Sequence, residues 1–140
     1  MNNLARLLIL LLVFALFGCG KKVWPEPDAS REQFKLSIIH HEIQDDCLTL
    51  DILVSGNHSN LGRITLELEA SDQPCPACPF LVSESVSFDP HSRAVTRREN
   101  ELTITLCGLD PDMYYRARIR AGNVYSMIRD AVTGVVVLSK

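Results

Sequence analysis

Strict alternation of apolar and polar side chains runs through most of this chain and limits its fold more than any other feature. It occurs in the stretches LTLDILVS, RITLELEA, ELTITL and YRARIRA, which turn-rich segments such as SGNHSN and LDPD separate. A period of two places alternate side chains on opposite faces of a β-strand, so each stretch is expected to bury one face. The sequence therefore predicts an all-β domain, an antiparallel β-sandwich over residues 33–140.

The alternation also predicts the core, because the apolar positions of each stretch must share its buried face. The predicted core residues are Leu48, Leu50, Ile52 and Val54; Ile64, Leu66, Leu68 and Ala70; Leu102, Ile104 and Leu106; and Tyr115, Ala117, Ile119 and Ala121. The polar residues between them are expected to face solvent. No helical period is visible beyond the N-terminal segment.

The N-terminal segment differs in composition from the rest of the chain. Arg6 precedes an uninterrupted apolar run over residues 7–17. At about 1.5 Å per helical residue this run is too short to span a hydrocarbon core of about 30 Å. A charged start, a short apolar segment and a small residue at its end are typical of a secretory signal. We therefore predict a signal-peptide helix over residues 1–18.

The motif Leu16-Phe17-Gly18-Cys19 resembles the bacterial lipobox, although Phe17 is larger than the alanine, serine or threonine usual at that position. In lipoproteins with this motif a signal peptidase cuts before the cysteine, whose sulfur carries diacylglycerol. The resemblance therefore implies that Cys19 is lipidated and that residues 19–32 form a lipidated anchor and a tether. It also implies a location in the bacterial cell envelope.

The residues after the cysteine extend this interpretation. Pro25 and Pro27 favour an extended, semi-rigid tether. Gly20 stands where an aspartate would be expected in lipoproteins kept at the inner membrane, so the resemblance implies the outer membrane, facing the periplasm. The stretch CGKK, followed by prolines, is also similar to the C-G-x-K-G-P start of small lipoproteins that assist lipopolysaccharide transport. That similarity implies an alternative function as an accessory lipoprotein of lipopolysaccharide or outer-membrane assembly.

A stretch late in the domain resembles the L-x-P-x-x-x-Y-x-x-x-V-x-A-x-N motif of fibronectin type III domains. The matching residues are Leu109, Pro111, Tyr115, Ile119, Ala121 and Asn123, with isoleucine in place of valine. The resemblance implies an immunoglobulin-like sandwich in which Leu109 fills the core and Tyr115 forms a tyrosine corner, its hydroxyl bonded to nearby backbone. A generic immunoglobulin-like sandwich is the alternative assignment.

Four cysteines remain once Cys19 is assigned to the lipid, and an exported domain favours their oxidation. In a fibronectin-like sheet the strands that carry Cys47 and Cys107 are antiparallel neighbours. The resemblance therefore implies a cross-strand disulfide between these two residues and a local disulfide between Cys75 and Cys78.

The segment QPCPACPF contains a C-x-x-C motif, which occurs in redox pairs, in zinc sites and as a structural crosslink. Redox chemistry usually needs the first thiolate at a helix N-terminus, whereas Pro79 and the strand-like stretch FLVSESVSF follow the motif here. A structural crosslink is therefore the main interpretation. A periplasmic thiol-redox protein that uses Cys75 and Cys78 is a further alternative function.

Arg116, Arg118 and Arg120 occupy the outward positions of one strand, and Glu67 and Glu69 occupy those of a strand that lies beside it in this fold. Opposite charges in such positions form cross-strand ion pairs. Unpaired, the three arginines would form a cationic stripe able to bind phosphates or an acidic partner. Both interpretations stay open from the sequence, and the three arginines are the candidate binding residues.

Composition and the remaining motifs exclude several function classes. The formal net charge of −3 argues against a nucleic-acid partner, which requires an excess of cations on one face. His40 and His41 are adjacent on a strand and point to opposite faces, so they are not joint metal ligands. No catalytic motif is visible, so we expect neither an enzyme nor a cofactor or metal site.

These features together predict a lipid-anchored interaction module of the bacterial cell envelope that works by binding. Its expected partners are the membrane, through the N-terminal lipid, and an envelope protein or a glycan. The sequence does not identify that partner.

Overall fold

The structure is a computed structural model that describes residues 28–138. Cys19, the lipobox and most of the tether lie outside the described residues. The elements within the described range are α1 (Ala29–Glu32), β1 (Phe34–Gln44), β2 (Cys47–Gly56), a 3-10 turn (His58–Asn60), β3 (Leu61–Ser71), β4 (Glu84–Phe88), β5 (Val95–Arg98), β6 (Glu101–Cys107), β7 (Tyr114–Asn123), β8 (Ala131–Val132) and β9 (Val136–Leu138).

The strands form two antiparallel sheets that pack face to face. The first sheet has the order β1-β2-β6-β5, and the second has the order β4-β3-β7-β8, with β9 also paired to β7. The first order is the A-B-E-D arrangement of immunoglobulin-type sandwiches, and the second places β4 beside strands in the C-F-G arrangement. The predicted all-β antiparallel sandwich is therefore confirmed.

The buried faces of the strands are those that the alternation predicts. Inward side chains of both sheets form one apolar cluster, in which Leu50, Leu66 and Ile119 are completely buried. Two predicted core residues, Ala70 and Leu106, are only partly buried. Each is the last residue but one of its strand, where the sandwich opens towards the loops.

The contact expected between Tyr115 and nearby backbone is present beside the loop that joins β6 to β7. The backbone N–H of Asp110 donates a hydrogen bond of 2.9 Å to the Tyr115 hydroxyl. Leu109 is buried in the core just before this contact, and its N–H donates to the carbonyl of Asp46. These bonds fix the crossing from the first sheet to the second.

The loops divide into two groups at opposite ends of the sandwich. The far end consists of the β1–β2 turn (residues 45–46), the β3–β4 loop (residues 72–83) and the β6–β7 loop (residues 108–113). The N-terminal end contains α1, the 3-10 turn and the β7–β8 loop (residues 124–130). Any partner of the domain therefore meets one of two chemically different ends, or a sheet face.

The segment that enters the domain is fixed to the N-terminal end. The Asp28 side chain accepts a hydrogen bond from the N–H of Ser30 and caps α1. The Glu32 carboxylate accepts from the amide of Asn57 at 2.9 Å, and the Glu32 carbonyl accepts from the amide of Asn123 at 2.7 Å. The last residue assigned to the tether is therefore bonded to the sandwich itself.

Candidate binding surface on the second sheet

The outer face of β3 and β7 brings together the charged residues that the sequence singled out. In the register of this pair, Glu69 lies opposite Arg116, Glu67 opposite Arg118 and Thr65 opposite Arg120. Their arrangement follows from the alternation, because the residues between them are buried in the core.

Every arginine of this row has a carboxylate partner. The Arg116 Nη2 atom lies 2.6 Å from a Glu69 oxygen, and Arg118 Nε bonds a Glu67 oxygen. Arg120 Nε lies 3.0 Å from the other Glu67 oxygen, and Arg120 Nη1 lies 3.8 Å from Asp130. Three cations are thus matched by three carboxylates. The geometry supports cross-strand ion pairing, the first of the two interpretations.

The pKa values of the two glutamates reflect this pairing. Burial favours the neutral form of Glu67, but the hydrogen bonds and charges of Arg118 and Arg120 outweigh it, so the pKa of Glu67 lies below its usual 4.5. The hydrogen bond from Arg116 lowers the pKa of Glu69, against a smaller effect of burial. Glu67 in turn raises the pKa of Arg120. Glu67, Glu69 and Arg120 are therefore charged at neutral pH.

The β3–β4 loop folds down onto this face, and Arg116 holds it there. The Arg116 guanidinium donates hydrogen bonds to the carbonyls of Pro76 at 3.2 Å, Cys78 at 2.8 Å and Pro79 at 3.0 Å. With these bonds and its ion pair to Glu69, the Arg116 side chain keeps only 10% of its surface exposed. Arg116 is therefore a support for the loop and is not accessible as a binding residue.

Two further contacts fix the second half of the loop. The Phe80 ring lies against the arginine row, with its centroid 4.8 Å from the guanidinium carbon of Arg118 and 5.8 Å from that of Arg116. The N–H of Leu81 donates to the Glu69 carboxylate at 3.3 Å. The stretch from Phe80 was expected to be a strand, and this is wrong for its first residues, since β4 begins only at Glu84.

Both predicted disulfides are present. Cys47 is the first residue of β2 and Cys107 the last residue of β6, and both lie at the far end of the sandwich. They are direct register partners, and their disulfide joins the two strands. Cys75 and Cys78 close a turn in which the Cys78 N–H donates to the Cys75 carbonyl. No helix follows this turn in the described part of the chain, so the support that redox thiolates usually have is missing there.

A group of exposed apolar side chains lies at the same end of the sandwich as the Arg116–Glu69 pair, and sequence reasoning missed it. Its members, here called the far-end cluster, are Leu81, Val82, Tyr114 and Val137, of which Leu81 is the most exposed at 71%. Val137 is the register neighbour of Arg116, and Tyr114 and Val137 line one narrow cleft with Glu69. The three apolar residues FLV after the C-x-x-C motif are the one feature of the sequence that indicates an apolar group here. The same residues are equally typical of a buried strand.

The cleft in this surface is small. It lies beside Tyr114 and has a volume of about 40 Å³, whereas small-molecule sites usually have about 300–1,000 Å³. Among residues 28–138, no group of three or more histidine, cysteine, aspartate or glutamate side chains is placed to hold a metal ion. The same residues include no helix long and apolar enough to cross a membrane.

Comparison with known proteins adds little. No family model matches the sequence, and no curated protein matches it. Among solved structures, the chain is similar to the crystal structure of the Br derivative of BhCBM56, with 9% sequence identity and a TM-score of 0.42, over 71% of this chain and 87% of that one. A likeness of this size carries no argument about function.

Proposed function

We propose that this protein is a lipid-anchored, non-catalytic interaction module of the bacterial cell envelope, and that its far end binds another envelope protein. The lipobox motif ending at Cys19 supports the anchor. Two disulfides in a small domain are what an exported protein uses to reinforce its fold. We also propose a fibronectin type III domain, which the Tyr115–Asp110 bond supports.

The observation that carries the binding proposal is the combination of apolar and acidic groups at the far end. The far-end cluster exposes four large apolar side chains at the same end of the sandwich as a buried ion pair. The three loops of that end contain no lysine or arginine, and their acidic residues are Asp45, Asp46, Asp72, Asp110 and Asp112. An apolar centre with an acidic margin fits a protein whose own surface has an apolar centre and a basic margin.

The two other functions that the sequence left open have less support. Binding of lipopolysaccharide phosphates at this surface requires free cations there, whereas the arginine row is paired and the loops of the far end are acidic. Thiol-redox chemistry requires a stabilised thiolate, whereas the Arg116 guanidinium donates its hydrogen bonds to the backbone carbonyls of Pro76, Cys78 and Pro79. The accessory function has a distinct outcome in the capture experiment below.

Affinity capture from detergent-solubilised envelopes tests the binding surface. The bait is the full lipidated protein, compared with Leu81→Asp at the far-end cluster and with Ile39→Asp on β1 as a matched control. Ile39 is also exposed and apolar, at 51%, but lies on the first sheet. We expect one set of proteins that wild type and Ile39→Asp retain and that Leu81→Asp loses.

Other outcomes of the capture experiment contradict the proposal in different ways. Equal capture by Leu81→Asp means that the far-end cluster is not the binding surface. A ligand that survives protease digestion of the envelope is a glycan. Components of a lipopolysaccharide-transport complex would establish the accessory function instead.

Labelling with radioactive palmitate tests the anchor separately. Wild type is expected to incorporate the label, and Cys19→Ser is expected to incorporate none and to yield an uncleaved or soluble form. A wild-type protein without label would show that the lipobox resemblance is misleading, whatever the far end binds.

A further inference from the structure

The β7–β8 loop carries a second exposed apolar surface, at the end of the sandwich opposite to the far-end cluster. Three of four successive residues expose large apolar side chains: Val124 at 59%, Tyr125 at 40% and Met127 at 67%. Single exposed apolar residues are ordinary, but three at the tip of one loop form a patch that marks contact with another phase or molecule.

The loop is held in a fixed shape that keeps these side chains outside. Ile128, near the end of the loop, is buried, whereas the three apolar side chains before it are exposed. The Val124 N–H donates to the carbonyl of Asn60, the Tyr125 N–H donates to the side chain of Asn123, and the Ile128 N–H donates to the carbonyl of Tyr125, each at 2.9 Å. The outward apolar side chains are therefore built into the fold.

This loop lies beside the point where the tether enters the domain. Asn123, directly before the loop, donates its side-chain amide to the carbonyl of Glu32 at 2.7 Å. Nine peptide units join Cys19 to Asp28 (28 − 19). Even fully extended they span at most about 30 Å, because a residue covers about 3.3–3.6 Å. A lipid on Cys19 thus keeps this end of the sandwich close to the bilayer.

Two arginines beside the loop suit an anionic lipid surface, and the nearest carboxylates already have partners: Asp130 lies 3.8 Å from Arg120, and Glu32 accepts from Asn57. An open groove of about 600 Å³ runs beside Val124 and is lined in part by Arg63 and Phe88. In the described part of the chain, Arg63 and Arg129 take part in none of the ion pairs. The one carboxylate in the groove, that of Asp89, accepts a hydrogen bond from a backbone N–H. The acidic far end, by contrast, is repelled by anionic headgroups.

We propose that the β7–β8 loop rests in the headgroup layer of the membrane that holds the lipid anchor, with Val124, Tyr125 and Met127 at the interface between headgroups and acyl chains. Tyrosine is well suited to that layer, and free arginines beside it pair with lipid phosphates. The domain then stands upright, with its far-end cluster directed away from the bilayer. This inference rests on the proposed lipid anchor and adds the orientation of the domain.

Photo-crosslinking tests the orientation with two matched tyrosines. A p-benzoylphenylalanine replaces Tyr125 in one protein and Tyr114 in the other; the two side chains are similarly exposed, at 40% and 46%, but lie at opposite ends of the sandwich. The lipidated proteins are reconstituted in vesicles of phosphatidylethanolamine and phosphatidylglycerol and irradiated. We expect lipid adducts from position 125 and none above background from position 114.

Methionine oxidation gives a second readout without any substitution at the loop. Met127 in vesicles is expected to form its sulfoxide with hydrogen peroxide several-fold more slowly than in the unlipidated mature chain carrying Cys19→Ser. Met113, in a loop of the far end, is expected to react equally in both. Equal rates for Met127, or equal lipid adducts from both tyrosine positions, would overturn the orientation.

The mass of the N-terminal peptide shows whether Cys19 is acylated. It therefore separates a failure of the proposed lipid anchor from a failure of the proposed orientation. An acylated Cys19 together with an unprotected Met127 refutes the orientation alone. A peptide without acyl chains refutes the anchor, and the orientation with it. Crosslinks from position 125 to a second copy of the chain instead of lipid show that self-association covers the loop, which also contradicts the proposal.

Discussion

The central strand pairs of the two sheets have the same geometry but are joined on their outer faces by different chemistry. Along β2 and β6 the successive outward pairs are Cys47–Cys107, Thr49–Thr105 and Asp51–Thr103. Along β3 and β7 they are Glu69–Arg116, Glu67–Arg118 and Thr65–Arg120. The first sheet is joined by a disulfide and hydroxyl hydrogen bonds, the second by ion pairs that also support a loop. The contribution of the first sheet to the free energy of unfolding should therefore depend on reductant, and that of the second sheet on pH and salt.

The largest expected effect is at the most buried ion pair of the second sheet. Arg116→Ala leaves the Glu69 carboxylate without its cation and three loop carbonyls without their Arg116 donor, so we expect the free energy of unfolding to fall by about 3–5 kcal/mol. Urea denaturation of the mature chain carrying Cys19→Ser measures it. A loss as small as that of Arg120→Ala would mean that the loop does not depend on Arg116.

The covalent link of the first sheet comes next. Replacing Cys47 and Cys107 together by serine is expected to lower the free energy of unfolding by about 2–4 kcal/mol, because the bond closes a long segment of the chain. The matched control replaces Cys75 and Cys78, three residues apart, and should cost much less because their loop is short. If the two double variants have the same free energy of unfolding, the length of the loop that each disulfide closes does not determine its contribution.

Glu67→Gln removes the charge that two arginines of the second sheet share. Hydrogen bonds to charged groups contribute about 1.5–3 kcal/mol, and we expect a loss in that range from urea denaturation at neutral pH. The matched substitution on the first sheet is Asp51→Asn, whose partner Thr103 is neutral and which should cost less. A larger loss from Asp51→Asn would reverse the comparison between the sheets.

Glu67 and Glu69 also predict that the free energy of unfolding decreases in acid because the second sheet loses its ion pairs. The pKa values of the two glutamates are lower in the folded state than the usual 4.5, so the folded state holds fewer protons and the ion pairs stabilise it fully above that value. This stabilisation is lost as the pH falls through the lower folded pKa values. Unfolding curves at a series of pH values below 4.5 should therefore converge for wild type and the variant with Glu67→Gln and Glu69→Gln. Parallel curves would show that other carboxylates cause the acid response.

The smallest effect is expected at the exposed end of the arginine row. The Arg120 side chain is 38% exposed, so its ion pairs are screened by solvent and Arg120→Ala should cost about 0.2–1 kcal/mol. Added salt should reduce this cost further, whereas the cost of removing the Cys47–Cys107 bond should not depend on salt. A salt-independent loss would indicate that packing of the Arg120 stem matters more than its charge.

The sequence by itself determined the parts of this protein that depend on period and register. Alternation assigned the buried and exposed face of each long strand, and a face once assigned fixes the outward row of arginines as well. The pairing of Cys47 with Cys107 needed more than the period: it followed from the strand order that the resemblance to fibronectin type III domains implies, because residues at the adjoining ends of neighbouring antiparallel strands meet. The alternation of buried and exposed positions repeats every two residues along a strand. It is therefore still recognisable when a single position departs from it.

Only the tertiary structure decided where the irregular segments lie. Arg116 meets the carbonyls of Pro76 and Pro79 across 40 and 37 residues of chain, and no spacing in the sequence announces such a contact. The apolar letters after the C-x-x-C motif predicted a strand, but Phe80 stacks on the arginine row and Leu81 is left exposed. A loop has no period, and its position is set by whichever long-range partners can satisfy its backbone groups. The far-end cluster, the β7–β8 loop and the difference between the two ends therefore became visible only in the folded chain.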